Sequence, residues 1–310
     1  MASLAELLRV MELHVAEGFD FYKLYALAKV NRIGFYFLHK IIHENSFRVS
    51  NSLRERFSRE YRVYLDIMRE FDNLNSILGG YGVSFAFFKS IRPYPFTTVD
   101  IDVLIFDNFS SVVKYLFSKG YAFLGSGPES ITFSSPGGVS VDLYREVAVS
   151  RVVYVDKDVL RKHVTEVETP FGVVVNLSPE ADLVVFANHA LVKEHMFTLA
   201  DYFTVKGLLL RSDVDVLSRL VLETRSVYVM GVVLGLVRDI VECVYGGRVG
   251  KCPVLPLKFP PWVVARALWE KLGCVKCRRS WAYQFGYMLS FRRVNRIIRD
   301  IVSHVKRLTY

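Results

Sequence analysis

The sequence predicts an α+β protein: a small mixed β-sheet core flanked by N-terminal and C-terminal helical regions. Three observations carry this. Apolar residues recur at helical spacing through LAELLRVMELHV and again through FSREYRVYLDIMREFDNLNSIL. The period drops to two in SFAFF, VDIDVLIF, ITFSS, VSVDLY and GVVVNL. It returns to helical from EADLVVFANHALVKEHMFTLADYF onwards. The expected organisation is a helical region over 1–78, an α/β core over 79–177 and a helical domain with a basic tail over 178–310.

Local chemistry places the elements. Asn51 is expected to cap a helix beginning SLRERF. GGYG, residues 79–82, reads as the break before the sheet. FSSVVKYLFSKGY reads as a short helix ending near Gly120. ITFSSPGGVSVDLY reads as a hairpin turning at Pro136, Gly137 and Gly138. The strand GVVVNL ends at Ser178 and Pro179, a pair suited to opening a helix. The proline-rich loop CPVLPLKFPPW separates the later helices from the basic ones at the end.

Composition narrows the class. Of 310 residues 52% are apolar, enough for a large core and incompatible with global disorder. The best membrane candidate, VYVMGVVLGLV, is stopped by Arg238 and falls short of the roughly 20 residues a spanning helix needs. Glu6 and Arg9 interrupt the apolar run a signal peptide requires. A soluble cytoplasmic protein without membrane contact is therefore expected. One Gln and nine Asn lean towards a thermophile. Cys274 and Cys277 form C-V-K-C, with Cys243 and Cys252 upstream. Their spacing suits a disulfide or buried thiols better than a zinc knuckle.

Charge is unevenly placed. The last forty residues hold ten Lys or Arg against one acid, Asp300, and the rest of the chain balances at thirty of each sign. The whole net charge of +9 thus sits in the tail, which suggests an anionic partner. Aromatic residues interleave with Arg there. RNA or DNA phosphate is one candidate partner, with Trp281 or Tyr283 available to stack on bases.

The chemistry-bearing segment is FFKSIRPYPFTTVDIDVLIF, residues 87–106. In a strand, residues two apart share a face. Asp100 and Asp102 therefore project together, while Val99, Ile101 and Val103 are expected to point into a core. Two ionised carboxylates that close repel one another and lose hydration. A divalent cation such as Mg2+ relieves both costs. Asp142, in the second hairpin arm VSVDLY, completes a triad if that arm pairs beside the Asp100 strand. Upstream, Lys89 and Ser90 end the preceding strand, where turn N–H groups, a hydroxyl and a cation suit phosphate. Arg92, Thr97 and Thr98 lie between the two strands, within reach of a triphosphate. His189 and His195, six apart on one helix, point in different directions and read as satisfied, partly buried histidines.

Lys89-Ser90, nine residues, Asp100-Ile101-Asp102 and then VDLY resemble the polymerase-β-like nucleotidyltransferase superfamily. More closely, residues 55–205 resemble an uncharacterised, largely prokaryotic nucleotidyltransferase family with an L-K-G…R…D-I-D-L-L-V signature. His189 and Asp201 stand at matching places in its following helix, and Ser90 stands where that family usually has Gly. The resemblance implies two metal ions and transfer of a nucleoside monophosphate from a nucleoside triphosphate (NTP) to a hydroxyl. Asp100, Asp102 and Asp142 would bind metal and act in catalysis. Lys89, Ser90, Arg92 and Thr98 would bind nucleotide. The acceptor would be a small molecule, RNA or a protein. The alternative is a catalytically degenerate relative acting as an RNA-binding or antitoxin-like module.

Overall fold

The structure is a computed structural model that describes residues 3–13, 18–45, 49–246 and 253–289. Four helices precede the sheet: α1 (Leu4–Leu13), α2 (Phe21–Val30), α3 (Gly34–Asn45) and the long α4 (Asn51–Tyr81). Asn51 is not the cap of α4. It is already helical, and Ser50, with extended backbone, stands before it. The helix also runs through Gly79 and Gly80, and only Gly82, at φ 75°, turns the chain out of it. A left-handed residue after the last turn is what a glycine supplies without steric cost.

The central sheet has seven strands. In chain order they are β1 (Phe85–Phe87), β2 (Asp100–Ile105), β3 (Ala122–Ser126), β4 (Ser130–Ser134), β5 (Ser140–Tyr144), and then β8 (Val164–Glu168) and β9 (Val173–Leu177). Helix α5 (Phe109–Ser118) joins β2 to β3, and a hairpin of β6 (Val147–Val149) and β7 (Val152–Val155) follows β5. A short α6 (Lys157–Leu160) precedes β8. The spatial order is β3-β4-β5-β2-β1-β9-β8. The β4–β5 hairpin matches the sequence reading. Strands β3, β6, β7 and β8 had no place in it. Strand β3 is largely exposed and β8 mixes Glu with Val at the sheet edge, so neither carries the apolar alternation of a buried strand.

The two faces of the sheet differ. Ile101, Val103 and Ile105 join Phe85, Phe87, Val141 and Leu143 against Ile67, Phe71 and Leu74 of α4 and Val112 and Leu116 of α5. Phe71 meets Phe87 edge-on at 4.9 Å between ring centroids. Val99 does not share this core: it precedes the first residue of β2 and is 91% exposed. The opposite face, with Ala86, Phe88, Leu104 and Tyr144, packs into a second core built largely from helices on either side of the sheet in sequence.

Those later helices are α7 (Pro179–Asn188), a π-helical turn (His189–Lys193), α8 (Leu199–Leu209), α9 (Val214–Glu223), α10 (Val227–Tyr245), α11 (Pro261–Lys271) and α12 (Val275–Leu289), with a two-residue pair β10 (Met196–Phe197) and β11 (Leu257–Lys258). Ser178 caps α7 by accepting from the Ala181 N–H, with Pro179 at the first helical position as the sequence suggests. Every residue of α7 from Glu180 to Asn188 is buried, so it runs through the interior. Cys274 and Cys277 form a disulfide at the start of α12. Tyr283 on α12 is exposed, whereas the Trp281 indole nitrogen is buried. Cys252 and the basic tail beyond Leu289 lie outside the described residues. Among the described residues, no helix is long and apolar enough to cross a membrane.

Candidate metal centre

The site is built by strand pairing. Strands β2 and β5 run parallel, with Asp102 opposite Asp142 and Asp100 opposite Ser140. Asp100 and Asp102 share a face because they are two apart, and the register sets Asp142 on that same face. One carboxylate oxygen from each of the three lies within 4.8 Å of the others. The inward neighbours Ile101, Val103, Val141 and Leu143, each fully buried, hold both strands flat against the α4–α5 layer. The triad is thus fixed by backbone hydrogen bonds and core packing rather than by loops.

Its electrostatics are those of crowded acids. Burial, then the Asp102 and Asp142 carboxylates, push Asp100 up to about 7. Burial also raises Asp142, while the neighbouring Thr132 hydroxyl partly offsets it. Asp142 Oδ1 is buried without a hydrogen-bond partner. An orphaned acceptor among three carboxylates is the environment a cation completes. An all-oxygen, all-anionic donor set selects hard divalent ions over zinc or copper.

The turn after β1 supplies the rest. Lys89 Nζ pairs with Asp102 Oδ2 at 3.1 Å, both side chains nearly buried. Lys89 adopts φ 61°, in the left-handed region where glycine fits freely. A lysine held there costs of order 1 kcal/mol. The Lys89 N–H donates to Asp182 Oδ1 at 2.8 Å, which fixes the turn to the first turn of α7. The Ser90 hydroxyl accepts from the Asp102 N–H at 2.9 Å and lies 3.2 Å from the Phe88 carbonyl, so it braces the turn against β2.

The structure therefore brings together Asp100, Asp102, Asp142, Lys89 and Ser90. Arg92 and Thr98 are engaged by other partners. Arg92 donates to Thr204 and the Ala200 carbonyl of α8 and lies on the Phe96 ring, 3.7 Å from its centroid. The Thr98 hydroxyl donates to the Asp100 carbonyl at 2.7 Å.

Three further groups border the site, and two of them, Asp182 and Lys193, carry no sequence signal. Asp182 is buried and raised to about 6, chiefly by that burial. In sequence it is an ordinary acid at a helix start. Lys193 ends the π-helical turn and donates to the Tyr144 hydroxyl at 3.2 Å. Burial and the nearby Lys89 push it down. Burial and the Lys89 and Lys193 charges push His189 down to about 3. Its Nε2 lies 3.4 Å from Glu194 Oε1 and its Nδ1 lies 3.5 Å from the Tyr154 hydroxyl. Glu194 is held below its usual range by that hydrogen bond and by Arg32. His195 instead has its Nε2 2.9 Å from the Val192 carbonyl. Both histidines are satisfied, and His189 is the one beside the site. No family model matches the chain, and no curated protein sequence matches it at a significant level.

Proposed function

We propose that this protein is a metal-dependent nucleotidyltransferase that moves a nucleoside monophosphate from an NTP to a hydroxyl acceptor. The observation that carries the reading is the convergence of Asp100, Asp102 and Asp142 within 4.8 Å on one sheet face. The buried, unpartnered Asp142 Oδ1 supports it further. So does the pattern K-S, nine residues, D-I-D with VDLY downstream. Asp100, Asp102 and Asp142 would hold Mg2+, with two ions expected from the family resemblance. When bound, Mg2+ neutralises phosphate oxygens and lowers the barrier to attack at phosphorus.

The chain's own residues do the remainder. Lys89 holds the Asp102 carboxylate in place by direct ion pairing. Asp142 takes the proton of the acceptor hydroxyl. The new bond joins the acceptor oxygen to the α-phosphorus, the bond from that phosphorus to the bridging oxygen breaks, and pyrophosphate leaves. Ser90 and Asp182 keep the turn after β1 in register with β2, so that Lys89 stays on the carboxylates.

The test is calorimetric titration of NTP in the presence of Mg2+ into wild type and Asp102→Ala. Binding that depends on Mg2+ and is lost in the variant supports the reading. Equal binding in both proteins rejects it. Labelled NTPs incubated with the protein and a cell extract would then identify the acceptor.

A further inference from the structure

Cys274 and Cys277 are joined across the start of α12, and their two sulfurs are placed differently. Cys277 is fully buried with Ala148 and Val153 of the β6–β7 hairpin. Cys274, the residue before α12, is partly exposed. The Cys277 N–H donates to Cys274 Sγ at 3.2 Å. That N–H belongs to the first turn of a 15-residue helix, whose positive end favours negative charge on an adjacent sulfur. The partners are 3 apart in sequence, so the closed loop constrains the unfolded chain little. Stability is therefore a weak reason for the bond. An outer sulfur at a helix N-terminus with an inner one behind it suits thiol–disulfide exchange, the outer open to attack and the inner placed to reclose. The same turn of α12 grips the hairpin. Ser280 Oγ accepts from the Val153 N–H at 3.0 Å. Lys276, between the two cysteines, pairs with Glu146 at 3.3 Å before β6, and with Asp156 at 3.0 Å and Asp158 at 3.1 Å beyond β7.

We propose that the Cys274–Cys277 bond is an exchange site for a dithiol reductant, attacked at Cys274, and that its state sets how firmly α12 holds the β6–β7 hairpin. A thiolate of the reductant attacks Cys274 Sγ. A new S–S bond forms there, the Cys274–Cys277 bond breaks, and its electron pair leaves on Cys277 Sγ, which takes a proton. The reductant's second thiolate then attacks its own sulfur in the mixed disulfide and releases Cys274 as a thiolate. Two electrons have passed to the pair, and the reductant leaves as a disulfide. A dithiol suits this geometry better than a monothiol. Cys277 is held behind Cys274 and would expel a single thiol, whereas a tethered second thiol competes with that reclosure. Once the bond is open, the turn that presents Lys276 and Ser280 to the hairpin is held by non-covalent contacts alone.

The experiment uses the full chain in native buffer with dithiothreitol as the dithiol. Thiols are trapped with iodoacetamide and located by mass spectrometry after cleavage at Lys276, which separates the two cysteines. Opening of Cys274–Cys277 should be first order in dithiothreitol. The reduced protein should be alkylated at Cys274 about tenfold or more faster than at Cys277, because the inner thiol is buried. Cys277→Ala should form a lasting mixed disulfide with oxidised glutathione at Cys274, and Cys274→Ser should form none at Cys277. Cys277→Ser serves if the alanine variant does not fold. Reduction of wild type should quicken amide hydrogen exchange in Val152–Val155 about threefold or more, as the hairpin loses its grip on α12. An opening rate independent of dithiothreitol, and so set by unfolding, overturns the exchange site. Faster alkylation at Cys277 than at Cys274 overturns it equally. Full reduction with hydrogen exchange in β7 unchanged overturns the hold on the hairpin.

Discussion

Neutralising Asp100 should make the metal-free protein more stable. In the folded chain its carboxyl is raised from 3.8 to about 7 by burial and by its two acidic neighbours. A rise of about three in pKa is worth about 4 kcal/mol. The sign follows from linkage. The folded state prefers the protonated acid, so the contribution is favourable below about pH 4 and is lost as the pH rises through about 7. At pH 8 wild type therefore carries the penalty in full. Asp100→Asn keeps the shape and removes the charge, but its amide must still be buried. The net gain should be about 1–3 kcal/mol. For a chain of this size that is a rise in Tm of roughly 2–5 °C.

The assay is thermal unfolding of wild type and Asp100→Asn at pH 8 and at pH 5, with chelator and then with Mg2+ or Mn2+. With chelator the variant should lead at pH 8, and the gap should narrow at pH 5, where Asp100 of the folded wild type is protonated. Saturating cation should reverse the order. Ligand at a hundredfold excess over Kd stabilises wild type by about 2.7 kcal/mol, and the variant should gain little. A variant equally destabilised at both pH values, or stabilised by cation as much as wild type, would refute the reasoning.

Two other perturbations probe what holds the site in place. Gly207 on α8 faces Pro93 so closely that an added Cβ would overlap the Pro93 ring. Gly207→Ala should cost about 1–3 kcal/mol by overpacking. It should also weaken Mn2+ affinity, because Pro93 belongs to the loop between Lys89 and Asp100; unchanged affinity would show that loop to be independent of the triad. Thr198 and Asp201 cap α8 reciprocally, the Thr198 N–H donating to Asp201 Oδ2 at 2.6 Å and the Thr198 hydroxyl accepting from the Asp201 N–H at 3.3 Å. Thr198→Ala should lower unfolding stability by about 1 kcal/mol, measured by denaturant titration.

Some of this was legible from the residues alone. The change of apolar period from helical to two and back gives an α+β chain with a sheet between helical regions. The i, i+2 rule puts Asp100 and Asp102 on one face, because the pleat alternates side chains strictly. Turn residues in ITFSSPGGVSVDLY give the hairpin, and Ser178-Pro179 gives the start of α7, because both are written in local backbone chemistry. Local chemistry fails at strand ends. Val99 continues the alternating pattern and is nevertheless in solvent, because the hydrogen-bonded ladder begins one residue later.

Only the tertiary structure decided the partners. That β5 lies parallel to β2 with Asp142 opposite Asp102 is a long-range register, and no local propensity encodes it. Lys193 and Asp182 join the site because a buried helix crosses the sheet face, and neither differs in sequence from any helix-borne charge. Arg92 is engaged by partners on α8 and Thr98 by the β2 backbone, contacts that the sequence does not encode. Composition and period specify which surfaces must be buried. Which charges then share a cavity is set by how those buried surfaces are stacked, since electrostatic interactions depend on separation in space, not along the chain.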